Sequence, residues 1–142
     1  TYGIKPNDVL YNTRMNANID DVERVEEIWK EMKTYGIKPN DYAYNIQMKA
    51  NVDDAERVEE LWKEMKEKGI KPDDYAYNTR MNANIDDVER VEEIWKEMMQ
   101  KGIKPTAHTY VTFSNAYSKV ENIDRCKELF QEATAAGIDL NT

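Results

Sequence analysis

The 142-residue chain carries a formal net charge of −8 and a sequence pI near 4.8, a balance that disfavours nonspecific attraction to nucleic acid or to an anionic membrane. Its hydrophobic share of 40% and charged share of 34% suit solvated helical surfaces over a modest core. Cys126 and His108 are the single residues of their kinds, which excludes an internal disulfide and a His/Cys metal centre, and no apolar run reaches the length of a membrane span.

The chain opens on Gly3-Ile4-Lys5-Pro6, which returns as Gly36-Ile37-Lys38-Pro39, Gly69-Ile70-Lys71-Pro72 and Gly102-Ile103-Lys104-Pro105, with a degenerate Gly137-Ile138-Asp139-Leu140 near its end. The first three steps are 33 residues and the last is 35, and every Gly and Pro of the chain lies in one of these stretches. A fixed period in this range marks a repeat architecture. Gly ends a helix in the left-handed conformation and Pro cannot continue one, so the punctuation predicts helix pairs stacked as an array. Residues 1–7 read as the end of a preceding repeat, followed by repeats at 8–40, 41–73, 74–106 and 107–142. A start inside a repeat, without Met, reads as a segment of something longer.

The first repeat carries Tyr11-Asn12-Thr13-Arg14-Met15 and then the stripe Val22, Val25, Ile28, Trp29 and Met32. In the second, Asn40 is placed as the N-cap of a helix over Asp41 to about Ala50, with Tyr44 and Met48 on one face. Asp53-Asp54-Ala55-Glu56 resembles a capping box, opening a helix to about Lys66 whose apolar stripe is Ala55, Val58, Leu61, Trp62 and Met65. The third repeat restates the first, with Tyr77 to Asn84 and Val88, Val91, Ile94, Trp95 and Met98. In the fourth, Phe130 replaces the Trp, Ala133 the Met, and Ser118-Lys119 has no upstream equivalent, which predicts a connection two residues longer. The Trp series is expected in the core. Glu26-Glu27, Glu59-Glu60 and Glu92-Glu93 are expected on a solvated convex face, and Arg14 and Arg80 in solvent or at a phosphate.

A tetratricopeptide pattern would place Trp in the first helix, and an ankyrin pattern would show Thr-Pro-Leu-His; neither occurs. Tyr-Asn-Thr at the first helix, Val-Glu-Arg-Val-Glu-Glu-Ile-Trp-Lys-Glu-Met-Lys in the second, and Gly-Ile-Lys-Pro-Asn/Asp in the turn resemble the pentatricopeptide repeat over essentially the whole chain. The fourth repeat keeps that family's usual length; the first three are shorter at the end of the first helix and its turn, and Arg14, Gln47 and Arg80 stand where an apolar residue is usual. The resemblance implies an all-α, right-handed superhelical α-solenoid of helix-turn-helix repeats.

The resemblance further implies single-stranded RNA as partner, read at about one base per repeat, in mitochondrial or chloroplast RNA processing, stability or translation. The base-reading residues it implies are Asn12, Asn45 and Asn78 on the first helices, with Val111 in the same place and unable to hydrogen-bond, together with Asn40, Asp73, Thr106 and, by position, Asn141 after the turns. Asn suits the role because its amide offers donors and an acceptor to a Watson–Crick edge. Asn45 with Asp73 implies uracil, Asn12 with Asn40 cytosine or uracil, and Asn78 with Thr106 a pyrimidine. Val9, Tyr42, Tyr75 and His108 hold the implied base-stacking place, where the tyrosines either stack on bases or pack between repeats; helix capping is the other role open to the Asn positions. The opposing functional class is a protein-interaction scaffold, such as a component of an organellar ribosome or another ribonucleoprotein; an engineered repeat array is a third origin, and open array ends allow a homodimer. No cofactor and no membrane partner are implied. Nothing resembles catalysis: there is no nucleophile beside a base, no Gly-rich phosphate loop and no convergent cluster of His and carboxylates.

Overall fold

The structure is a computed structural model that describes residues 8–138; the first and last turn motifs and Asn141 lie wholly or partly outside them. Among the described residues the chain forms eight helices and no strand: α1 (Asp8–Ala17), α2 (Val22–Thr34), α3 (Asp41–Ala50), α4 (Ala55–Glu67), α5 (Asp74–Ala83), α6 (Val88–Gln100), α7 (Ala107–Lys119) and α8 (Ile123–Ala135). They fall into two compact units, divided between Pro72 and Asp73.

In the first unit α1 packs on α2 and α3, and α3 on α2 and α4. The stripe read from the sequence is the core: Val25, Ile28 and Met32 of α2 and Val58 and Leu61 of α4 are fully buried, and Trp29 and Trp62 keep 2% and 3% of their surface. Trp29 meets Tyr44 of α3 edge-on at 5.0 Å between ring centroids, while the Lys33 ammonium lies 5.0 Å from the indole centroid. Burial pushes the Tyr44 hydroxyl above its ordinary range, and its hydrogen bond to Glu64 (3.0 Å) adds to the effect. Burial also pushes Glu64 up, but hydrogen bonds from Lys33 and Tyr44 outweigh it and hold the carboxyl below its usual range.

The second unit repeats this plan with α5 on α6 and α7, and α7 on α6 and α8. Trp95 packs edge-on against both Tyr110 (5.1 Å) and Phe113 (4.6 Å), and Phe113 stacks on Tyr117. Phe130, in the same sequence column as the tryptophans, is 50% exposed.

The described turn motifs work as their residues dictate, as Gly69 shows. Gly69 sits at φ +78°, its N–H bonds to the Lys66 carbonyl, and the next N–H, of Ile70, reaches back to Met65. This closes the last turn of α4 in the Schellman pattern. A Cβ at Gly69 would meet nothing, so the requirement is conformational and not steric. Gly69→Ala is therefore expected to cost about 1–2 kcal/mol, with Gly69→Asn milder, as read from the midpoint of urea unfolding.

Four sequence expectations are corrected. The cap of α4 is Asp54, which accepts from the Arg57 N–H, so Glu56 is not the reciprocal arm of a capping box. The extra residues of the fourth repeat lengthen the helix and not the connection. Asn18, Asn51 and Asn84 each close a first helix by donating to the carbonyl four residues earlier, whereas Tyr117 holds that column and α7 runs on to Lys119. Arg14 keeps about a third of its side chain exposed and Arg80 does not, and each is engaged by a carboxylate of its own hairpin. They pair with Glu31 (3.3 Å) and Glu97 (2.7 Å) across their hairpins, and Arg80 is buried. Finally, of the paired acids, Glu27, Glu60 and Glu93 are exposed and bonded within their own helices to Arg24, Arg57 and Arg90. Glu26 and Glu92 are instead half-buried and bonded to the neighbouring hairpin.

Candidate nucleic-acid interface

The first helices α3, α5 and α7 each begin after a polar residue that follows the turn proline. Asn40, Asp73 and Thr106 are the N-caps of α3, α5 and α7, accepting from the backbone N–H of Ala43 (3.0 Å), Ala76 (2.9 Å) and Thr109 (3.3 Å). Capping alone accounts for a side chain with a short acceptor at each position. Within each unit it also sets where Asn40 stands relative to Asn12, and Thr106 relative to Asn78.

In the first unit, the Asn12 amide of α1 donates to Asn40 Oδ1 at 3.3 Å, and Asn40 donates in turn to Asp8 Oδ2 at 3.4 Å. Asn12 is 7% exposed, and its Oδ1 is buried without a hydrogen-bond partner. Asn45 of α3 is half-buried, and its Oδ1 is likewise buried and unpartnered. A buried acceptor left unmade costs about 1–3 kcal/mol, so two of them on successive first helices of one unit are unusual. Val9 and Tyr42, three residues before each Asn, are 66% and 52% exposed.

In the second unit, Asn78 of α5 is 6% exposed, and its Oδ1 accepts from the Thr109 hydroxyl at 2.6 Å. Thr109 is fully buried and also completes a capping box with Thr106, whose N–H donates to Thr109 Oγ1 at 3.0 Å. The third Asn of the column is thus already answered from within the protein, leaving its NH2 as its other polar group. Sequence reasoning passed over Thr109, although the signal was present: Leu10, Ala43 and Ala76 hold the same column, and a lone hydroxyl among apolar residues asks for a partner. Tyr75 is 43% exposed, His108 is exposed, and Val111 is 40% exposed. Tyr42 and Tyr75 thus each leave about half of their surface accessible.

Charge is divided between the two kinds of helix. The first helices are close to neutral: Asp8 with Arg14, Asp41 with Lys49 and Asp74 with Arg80 balance within α1, α3 and α5, and α7 carries Lys119. Arg14, Arg80 and Lys119 are all in ion pairs, the last with Asp86 at 2.8 Å. The acidity of the chain resides mainly in the second helices and the connections. No group of three or more His, Cys, Asp and Glu side chains among the described residues could hold a metal ion.

The chain matches the pentatricopeptide repeat domain model over residues 1–54, 46–87 and 60–120, and the PPR repeat model over residues 108–138. Among curated proteins, no sequence matches. Three solved structures are similar. PPR10 in complex with an 18-nt psaJ RNA element aligns with TM-score 0.82 at 24% identity, over 96% of this chain and 21% of that one. PPR10 from maize gives 0.79 at 24% identity, over 96% and 20%. The PPR domain of Arabidopsis thaliana protein-only RNase P 1 in complex with tRNA gives 0.78 at 18% identity, over 96% and 76%. The chain thus spans about a fifth of PPR10, and the alignments establish its fold as an all-α helical-repeat solenoid. The chain belongs to the pentatricopeptide repeat family.

Proposed function

We propose that the chain binds single-stranded RNA through its first helices, with Asn12, Asn45 and Asn78 reading bases and Asn40, Asp73 and Thr106 setting the preference. The observation that supports it most is the pair of buried, unpartnered carboxamide oxygens on Asn12 and Asn45. The N3–H of uracil and the amino group of cytosine are donors of the kind such an oxygen lacks, and a half-turn about χ2 exchanges the oxygen and nitrogen of an Asn amide. Tyr42 and Tyr75, exposed one helical turn before the Asn column, are the stacking surfaces, with Val9 and His108 in the same place on α1 and α7. Val111 makes the last hairpin blind to base identity. Asn78, with its oxygen held by Thr109, offers donors only and is the less selective reader of the three.

The preferred ligand is a short pyrimidine track, and the setting that family membership supports is RNA metabolism in a mitochondrion or chloroplast. The near-neutral first helices mean that few counterions are released on binding, so affinity is modest and falls only gently with salt. RNA is bound by the similar structures of PPR10 and the RNase P 1 domain, which is consistent with this reading. The test is fluorescence anisotropy with labelled oligo-U, oligo-C, oligo-A and oligo-G at low and physiological salt. Pyrimidine oligomers are expected to bind more tightly than purine ones. Equal affinity for all four, collapsing as salt rises, would leave only nonspecific phosphate contact; no binding to any of them by the folded chain would turn the assignment to a protein scaffold.

A further inference from the structure

Inside each unit, the junction between its two hairpins carries a charge rule that the outer face of α8 breaks. In the first unit, Glu26 of α2 is held from the next hairpin by Arg57 of α4 (3.3 Å) and by the Gln47 amide of α3. In the second unit, Glu92 of α6 is held by Arg125 of α8 (3.5 Å) and by the Tyr117 hydroxyl (3.1 Å). Each of these second helices presents a carboxylate forward, and the next second helix returns an arginine. Three residues after each Glu stands the buried aromatic that meets the next hairpin's tyrosine: Trp29 against Tyr44, Trp95 against Tyr110.

Alignment through this aromatic column places Phe130 with Trp29 and Trp95, and Lys127 with Glu26 and Glu92. Phe130 is 50% exposed where Trp29 and Trp95 keep 2% and 8%, and Ile123, one turn before Lys127 on the same face, is 55% exposed. The forward face of α8 is therefore shaped like the others but inverted in charge. At the opposite end, Arg24 of α2 holds the column of Arg57 and Arg125; its side chain is 43% exposed and, among the described residues, pairs within its own helix, with Glu27 at 2.8 Å.

We propose that the forward face of α8 receives a helical hairpin that carries a carboxylate where this chain's own hairpins carry Arg57 and Arg125, its apolar side packing on Ile123 and Phe130 and its carboxylate meeting Lys127. A second copy of this chain stacked head to tail brings Arg24 to Lys127, cation against cation, and is rejected. The face is specific for an acidic helical partner and closed to self-propagation.

The chain can supply its own test partner. Arg24→Glu places a carboxylate on the first hairpin opposite the unaltered Lys127, and Lys127→Glu restores the rule of the other junctions against the unaltered Arg24. Both residues are exposed, so circular dichroism and melting of the variants should match the parent. In sedimentation velocity over a concentration series, each single variant is expected to associate at least about tenfold more tightly than the parent, and the double variant to return to the parent's behaviour, because it sets Glu against Glu. Four proteins that sediment alike, a double variant that associates like the singles, or a parent that already assembles as tightly as either single would overturn the proposal.

Discussion

Trp29→Ala is expected to remove about 3–5 kcal/mol of stability, the range for truncating a fully packed aromatic. Trp29 is 2% exposed, meets Tyr44 edge-on at 5.0 Å and lies under the Lys33 ammonium, so the substitution opens a cavity between α2 and α3 and removes two ring interactions at once. The same change at Phe130, half-exposed in the same column, should cost no more than about 1–2 kcal/mol, because only part of the ring's transfer free energy is at stake. Urea unfolding followed by circular dichroism measures both. In a stacked array each hairpin leans only on its neighbours, so the Trp29 variant should also broaden the transition as the first hairpins melt apart from the rest. Equal losses at Trp29 and Phe130 would mean that burial against the next hairpin is not what stabilises these helices.

Tyr42→Ala is expected to have the largest effect on RNA. A base stacked on an aromatic ring is worth about 1–3 kcal/mol, so affinity for a pyrimidine oligomer should fall roughly 5- to 150-fold. Tyr42 is 52% exposed, so its removal should leave the melting temperature nearly unchanged. That separation of binding from stability distinguishes a stacking platform from a packing residue. Val9 offers no ring at the corresponding place on α1, and Val9→Tyr should strengthen binding by a smaller step in the opposite direction.

The helix pairs were legible in the sequence because their signals are local. Gly69 at φ +78° and the Asn40 cap act within a few residues of where they stand, and the stripe Val58, Leu61, Trp62 and Met65 declares its face through spacing alone. What escaped depends on partners far along the chain. Arg80 reads as a surface cation until Glu97, 17 residues away, is brought to 2.7 Å by the hairpin. Glu26 looks like one more acid on a solvated face until Arg57 arrives 31 residues later. The Asn column was visible as a recurrence, but the difference among its members was passed over: Asn78 Oδ1 is satisfied by Thr109 while Asn12 Oδ1 and Asn45 Oδ1 are left unpartnered, a difference that the lone hydroxyl in the column of Leu10, Ala43 and Ala76 hints at and that the fold makes definite by bringing Thr109 to 2.6 Å. The longer α7 follows the same logic in reverse, since a local cue existed in the replacement of Asn18, Asn51 and Asn84 by Tyr117.

The most direct test of base reading is Asn45→Val, measured by anisotropy against a labelled oligo-U and an oligo-A beside the parent chain. Val fills nearly the same space, removes the unpartnered oxygen and offers a base neither donor nor acceptor. If Asn45 reads a base, the variant melts at or above the parent's temperature, binds oligo-U at least about tenfold more weakly, and loses most of the preference for U over A, as expected for one hydrogen-bonding pair removed from a buried site. A variant that binds oligo-U as the parent does, with the preference intact, would contradict base reading by this column and leave Asn45 as a polar residue of the fold alone.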